Sequence, residues 1–177
     1  MLTNAGITTN VLDGGWQAWQ AAGLPVETGP AQVRAPTQVV LHVDTQCAVD
    51  YEELEKLRHQ PTSLILDARG AERFRGDTEP VDRVAGHVPG AHNRPITQNL
   101  TAEGRFKPAA TLRAEFNTTL AGRAPREVAH MCGSGVYACH NNLLAMEVAG
   151  LHGSRMFVPS WSGWSSDPSR PVATGDA

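Results

Sequence analysis

An α/β fold, with helices on both faces of a parallel sheet, is predicted here on three grounds. Short apolar runs alternate with segments of helical spacing, several of those segments carry helix start or stop signals, and the composition is globular. The 177 residues hold one full-sized domain and a remainder, not two domains. Hydrophobic residues make up 41% and charged residues 19%, which is not the balance of a disordered chain. No apolar run approaches the roughly 18 residues of a membrane span.

The elements follow in order. QVVLHV (38–43) and SLILDA (63–68) are apolar runs bounded by polar residues or proline and are predicted strands. Between them, Val49 to Arg58 has helical spacing, with Asp50, Glu52 and Glu53 where a helix dipole favours acids. Pro108 to Phe116 is predicted helical with proline at its start. EVAHM (127–131) is a predicted strand, VYACHNNLLAMEVAG (136–150) a helix closed by Gly150, and Ser154 to Val158 a last strand.

A net charge of -3 with no block of like charges gives no footprint for nucleic acid. Lys56 and Lys107 are the only lysines among 15 basic residues; the remaining arginines suit fixed anion recognition. The first basic residue is Arg34, so a secretory leader is not expected and the chain is expected to be cytoplasmic. Cys47, Cys132 and Cys139 are too few, and odd in number, for a disulfide framework.

All four tryptophans fall into two pairs of equal spacing, Trp16 with Trp19 and Trp161 with Trp164, each followed by Pro-Val-x-x-Gly. The pairs stand about 145 residues apart, a domain length, and read as an internal repeat; the bland reading is that both merely fill cores. The expected organisation is a remnant of the end of a first domain over 1–30, a linker over 31–36 and the complete unit over 37–177.

Cys132 follows the strand EVAHM directly and precedes Gly133, Ser134 and Gly135. In an open parallel sheet, ligands collect beyond the C-terminal strand ends. Two glycines let successive N–H groups turn inward as an anion nest, and the next helix adds positive potential. Lowering a thiol pKa by ~2 units takes about 2.7 kcal/mol, which such a loop can supply; Cys132 is therefore a candidate nucleophile. The structural alternative is a buried cysteine at a helix start. A phosphatase loop would need arginine where Ala138 stands, and zinc held by His130, Cys132, Cys139 and His140 would need an unusual spacing. No metal or organic cofactor is expected.

CGSGVYACHN closely resembles the active-site loop of rhodanese-type sulfurtransferases in their mercaptopyruvate form. DARGAERFRG (67–76), GHVPGAHNRP (86–95), GRFK (104–107) and SWSGW (160–164) add to the likeness in order. The resemblance implies a rhodanese-like parallel sheet, and a sulfurtransferase that moves a sulfane sulfur from 3-mercaptopyruvate, or thiosulfate, through a persulfide on Cys132 to a thiol or cyanide. It implies Gly133, Gly135, Val136 and Tyr137 as the cradle, Arg73 and Arg83 as the grip on a small anionic sulfur donor, and Ser134 as a proton-transfer aid. Because Gly133 and Ser134 add no second charge, it favours 3-mercaptopyruvate.

Within that likeness Tyr137 stands where the family usually has threonine, and the Asp and His that would assist Ser134 have no counterpart in this chain. His87 and Asp67 are expected to be architectural, and Arg69 and Arg75 to form ordinary surface pairs. The rivals are an impaired rhodanese-like binding or regulatory module, and a gene fragment. Neither nucleic acid nor membrane is an expected partner.

Overall fold

In the computed structural model, residues 5–33, 35–42 and 44–176 are described. Helix α1 (Gly15–Ala21) comes first, then β1 (Ala48–Val49), α2 (Tyr51–Leu57), β2 (Leu64–Asp67), α3 (Ala71–Arg75) and β3 (Ala91–Asn93). Helix α4 (Ala109–Leu120), β4 (Val128–Met131), α5 (Ala138–Val148), β5 (Arg155–Phe157) and α6 (Ser160–Ser165) complete the order. The strands form one sheet in the order β1-β5-β4-β2-β3, and every neighbouring pair is parallel.

Both faces are covered, which is why the strands read as unbroken apolar runs rather than alternating ones. Ile65, Ala129, Met131 and Phe157 pack against Leu54 and Leu57 of α2, Phe74 of α3, and Trp161 and Trp164 of α6. Leu64, Leu66 and Val128 pack on the opposite side against Leu112, Phe116 and Leu120 of α4 and Ala145 and Met146 of α5. Successive residues of β2 thus serve different cores, as the two-residue period of a strand requires.

Local chemistry sets the helix ends. The Asp50 carboxylate accepts the Glu53 N–H at 2.8 Å, capping α2. Helix α4 begins after Pro108 and runs one turn past the predicted Phe116, because Leu112, Phe116 and Leu120 continue one buried stripe at four-residue spacing. Helix α5 starts two residues later than predicted. Gly135, at φ 74°, turns the chain, and Val136 and Tyr137 stay in the loop with 74% and 69% of their surfaces exposed. The helix ends near Gly150, at φ 71°, as its sequence signal implies.

The strand predicted over 38–43 is not found. Residues 38–42 have no regular structure, Val39, Val40 and Leu41 are exposed, and Val43 lies outside the described residues. The edge position beside β5 is held instead by Ala48–Val49, paired with Met156 and Phe157, so the more apolar run has no strand to dock on. Strand β3, inside the GHVPGAHNRP segment, was not anticipated, since its three residues carry no strand-like pattern.

The two tryptophan pairs lie on α1 and α6 and share a contact. Trp19 Nε1 donates to the Pro25 carbonyl and Trp164 Nε1 to the Pro171 carbonyl, both at 2.9 Å. Their environments differ: Trp161 and Trp164 are fully buried and Trp16 is exposed.

A buried polar network fastens α5. Arg94 Nη2 donates to Asn99 Oδ1 at 2.9 Å, Asn99 donates to Asn141 and Asn142 on α5, and Asn142 Nδ2 donates back to the Arg94 carbonyl at 2.9 Å. Each member of this network finds partners, as buried polar groups must.

Candidate active site

Strand β2 connects outward to β3 and strand β4 connects the other way to β5, so the chain diverges between their C-terminal ends. That switch point is where open parallel sheets take ligands. Asp67 ends β2 there, and Cys132 is the first residue beyond β4.

The loop after Cys132 is pinned to the start of α6. Cys132 N–H donates to Ser160 Oγ at 3.1 Å, while its carbonyl accepts Trp161 N–H at 3.0 Å and the Gly133 carbonyl accepts Ser162 N–H at 2.8 Å. Ser160 itself is fully buried at φ 53°, a left-handed conformation rare outside glycine. Its hydroxyl also donates to the Phe157 carbonyl.

The sulfur is held as an anion. Cys132 Sγ and Cys139 Sγ are hydrogen-bonded across 3.3 Å, and this bond is the largest influence. Burial opposes ionisation, and the backbone N–H groups of Cys139, Gly135 and Tyr137 favour it, leaving Cys132 with a pKa lowered to about 4. Cys139 moves the other way: its hydrogen bond to Cys132, its burial and the neighbouring negative charge all push its thiol up. One thiolate and one thiol therefore share the pair.

Cys132 reactivity is accordingly expected to stay level from about pH 6 to 8 and to fall only on approach to pH 4, whereas an ordinary thiol gains about tenfold per unit up to ~8.5. Thiolate absorbance near 240 nm against pH checks this. Between the two pKa values the folded chain binds fewer protons than the unfolded one, so this group's stabilisation is full above the unfolded value and is lost as pH falls to about 4.

Arg73 reaches the loop: a methyl group on Gly133 would lie 3.4 Å from its Nη1. Its guanidinium is tied to Glu79 at 2.6 Å and Asp82 at 3.2 Å. Arg83 is exposed and forms no ion pair among the described residues. Ser134, Val136 and Tyr137 are exposed on the loop's outer side, although the Tyr137 N–H serves the sulfur.

Arg69 is not the surface pair expected from sequence. It is buried, bonded to Asp67 Oδ2 at 2.8 Å and the Gly86 carbonyl at 2.7 Å, and it lies over the Trp161 ring at 4.8 Å. Arg75 does pair with Asp77 near the surface. His87 is buried, its Nδ1 2.8 Å from the Phe74 carbonyl and its ring stacked on Phe74.

Sequence reasoning missed three residues. Cys139 lies within the helix predicted over 136–150, yet its thiol and its N–H both face Cys132; its place in the first turn of the helix after the loop was the available signal. Glu79 binds Arg69 and Arg73 together, and the acidic excess among the arginines of 67–83 pointed to it. Nothing local marked Ser160.

Two concavities lie away from this loop. One of 430 Å³ is bounded by residues including Asp50, Glu53, Lys56 and Arg155, a second of 200 Å³ by residues including Phe74, Arg75 and His92, and Cys132 lines neither. Among the described residues no three His, Cys, Asp or Glu side chains converge as metal ligands. His130 is instead a buried neutral ring: burial, then the Arg94 charge, lowers its pKa to about 3.

Residues 50–167 match the family described as rhodanese-like domain. The chain is 46% identical over 94% of its length to a probable 3-mercaptopyruvate sulfurtransferase of Pseudomonas aeruginosa, covering 58% of that protein. It is 41% identical over its whole length to the putative thiosulfate sulfurtransferase SseB of Mycobacterium tuberculosis, covering 62% of it. The crystal structure of YnjE superposes with a TM-score of 0.83 at 28% identity, over 99% of this chain and 45% of that one. The chain thus spans about three-fifths of the first two relatives. On the matched residues and these identities, the chain belongs to the rhodanese-like domain family.

Proposed function

We propose that this chain is the sulfur-accepting part of a sulfurtransferase, with Cys132 as nucleophile and 3-mercaptopyruvate, rather than thiosulfate, as donor. The observation that carries the reading is Cys132 Sγ facing the Cys139 thiol and three backbone N–H groups, with a pKa lowered to about 4. The thiolate attacks the donor sulfur, the carbon–sulfur bond breaks, and pyruvate leaves as an enolate that takes up a proton. The outer sulfur of the resulting persulfide then passes to an acceptor thiol or cyanide, restoring the Cys132 thiolate. Ser134 has the hydroxyl to assist the proton step.

Arg73 binds the donor carboxylate in this reading, and Glu79 holds the guanidinium in place through its bond at 2.6 Å. Charge-assisted hydrogen bonds contribute about 1.5–3 kcal/mol, so Arg73→Gln is expected to raise the donor KM by roughly ten- to a hundredfold. Arg83→Gln, on an exposed and unpaired side chain, is expected to change it less. Steady-state kinetics of both variants separate the two arginines.

The donor choice rests on Gly133 and Ser134, which bring no second positive charge after the cysteine. The organisation into a remnant (1–30), linker (31–36) and main unit (37–177) is supported by the shared tryptophan-to-proline-carbonyl contact on α1 and α6.

Intact mass spectrometry after incubation with each donor tests the function. One added sulfur on Cys132, gained faster from 3-mercaptopyruvate and lost to a thiol acceptor, is the expected result. An unmodified Cys132 with both donors would support the non-catalytic binding module instead.

A further inference from the structure

We propose that Asp82 is a charge selector at the Cys132 cleft, holding the Arg73 site to donors that carry one negative charge and turning away those that carry two. The inference deepens the reading above and rests on Arg73 receiving the donor's anionic group.

A guanidinium presents its N–H bonds in a fixed fork that takes a carboxylate along an edge. Glu79 occupies one edge of Arg73, with Oε2 at 3.2 Å from Nε and Oε1 at 2.6 Å from Nη2. The next edge, from Nη2 to Nη1, faces the loop: a methyl group on Gly133 would lie 3.7 Å and 3.4 Å from these two nitrogens. Asp82 Oδ2 stands on that edge, 3.2 Å from Nη2. Nη1 has no hydrogen-bond partner among the described residues. An arriving anion therefore meets one free donor and one that Asp82 already holds.

The two acids divide their tasks by what else they touch. Glu79 Oε1 also accepts the N–H groups of Val81 and Asp82 at 3.0 Å and 3.1 Å, and its Oε2 lies 3.4 Å from Arg69 Nη1. Glu79 is engaged on every side, and it fixes the turn that carries Asp82. The Asp82 carboxylate meets Arg73 alone among the described residues. It is the acid that a ligand must tolerate or displace.

Charge bookkeeping gives the selectivity its direction. Asp67 answers Arg69 and Glu79 answers Arg73, so Asp82 and the Cys132 thiolate remain as negative charges facing the ligand. Arg83, the next residue, is exposed and forms no ion pair among the described residues. Coulomb energy is proportional to the ligand's charge. A dianion such as thiosulfate is therefore opposed by Asp82 twice as strongly as the monoanion 3-mercaptopyruvate, and in a binding constant that doubling squares the factor.

Inert anions test this without turnover. Pyruvate carries one negative charge and sulfate two, and either one seated beside Arg73 is expected to slow alkylation of Cys132 by neutral iodoacetamide at fixed ionic strength. The adduct is read by mass on the tryptic fragment from Glu127 to Arg155, which leaves out Cys47. In Asp82→Asn, the pyruvate concentration for half-protection is expected to fall by about three- to tenfold. The sulfate concentration is expected to fall by about the square of whatever factor pyruvate shows. Asp82→Glu should keep the wild-type ratio of the two concentrations. So should Asp77→Asn, which removes a charge from the pair with Arg75 near the surface. Asp82→Ser takes the place of Asp82→Asn if that variant melts well below the wild type. Equal factors for the two anions, unchanged protection, or no protection by either anion once Asp82 is neutral would each overturn the proposal. Sulfur loading is measured separately on the unaltered chain. Loading without the charge-dependent shift sinks the selector and leaves the sulfurtransferase reading; the shift in a chain that no donor loads does the reverse.

Discussion

Replacing Cys132 with serine is expected to cut sulfur transfer by at least about a thousandfold, the scale on which removal of a covalent nucleophile acts. A serine hydroxyl stays protonated at neutral pH, even facing the N–H groups of Gly135, Tyr137 and Cys139 that favour the anion at this position. It also cannot carry a transferable sulfur. The loss is chemical rather than structural, because the Cys132 N–H bond to Ser160 and the carbonyl bond from Trp161 belong to the backbone and survive the change. Thermal unfolding within a few degrees of the wild type, together with absent sulfur loading, is the expected pair of results. Loading that persists in the variant would move the nucleophile elsewhere.

Much of this site could be read in the sequence because it is local. A strand, a cysteine, a glycine-rich turn and a helix follow one another within 128–148, and the fold places them in that order. The thiolate was legible for the same reason, since the loop's own N–H groups contribute to it. Its largest support was not: the Cys139 thiol reaches Cys132 only because α5 begins at Ala138, two residues later than periodicity suggested. Apolar spacing does not distinguish an exposed Val136-Tyr137 step from a first helical turn.

Long-range features were less visible. The loop depends on Ser160, 28 positions away, whose hydroxyl contact no local pattern announces. The error over 38–43 has the same origin. Hydrophobicity marked that run as a strand, but sheet membership is a competition for one edge, and Ala48–Val49 holds it through register with β5. Arg69 was misplaced because burial of a charge depends on partners such as the Gly86 carbonyl and the Trp161 face, which meet it only in the folded chain.

Gly135→Ala is expected to be the most damaging change in the loop that spares the cysteine. Gly135 sits at φ 74°, and a Cβ there would come 2.0 Å from the Val158 carbonyl oxygen and 3.1 Å from its carbon. Both are backbone atoms next to β5 and α6, so relief requires the loop to lift away from them. Strain of this kind costs about 1–3 kcal/mol for the dihedral alone, and the clash adds to it. Lifting the loop moves the Gly135 and Tyr137 N–H groups off the sulfur, and the Cys132 pKa rises from about 4 toward that of an ordinary thiol. A return to ~8.5 would leave only a few per cent thiolate at pH 7, a loss of roughly thirtyfold in nucleophile. Activity should then climb with pH up to about 8.5, where the wild type is level. Gly133→Ala is the control: that residue has no left-handed φ, and its Cβ would meet only the Arg73 guanidinium tip at 3.4 Å. Donor KM, not the thiolate titration, should respond there. Equal titration curves for wild type and Gly135→Ala would mean that the turn does not aim the amides, and that the Cys139 thiol holds the anion without them.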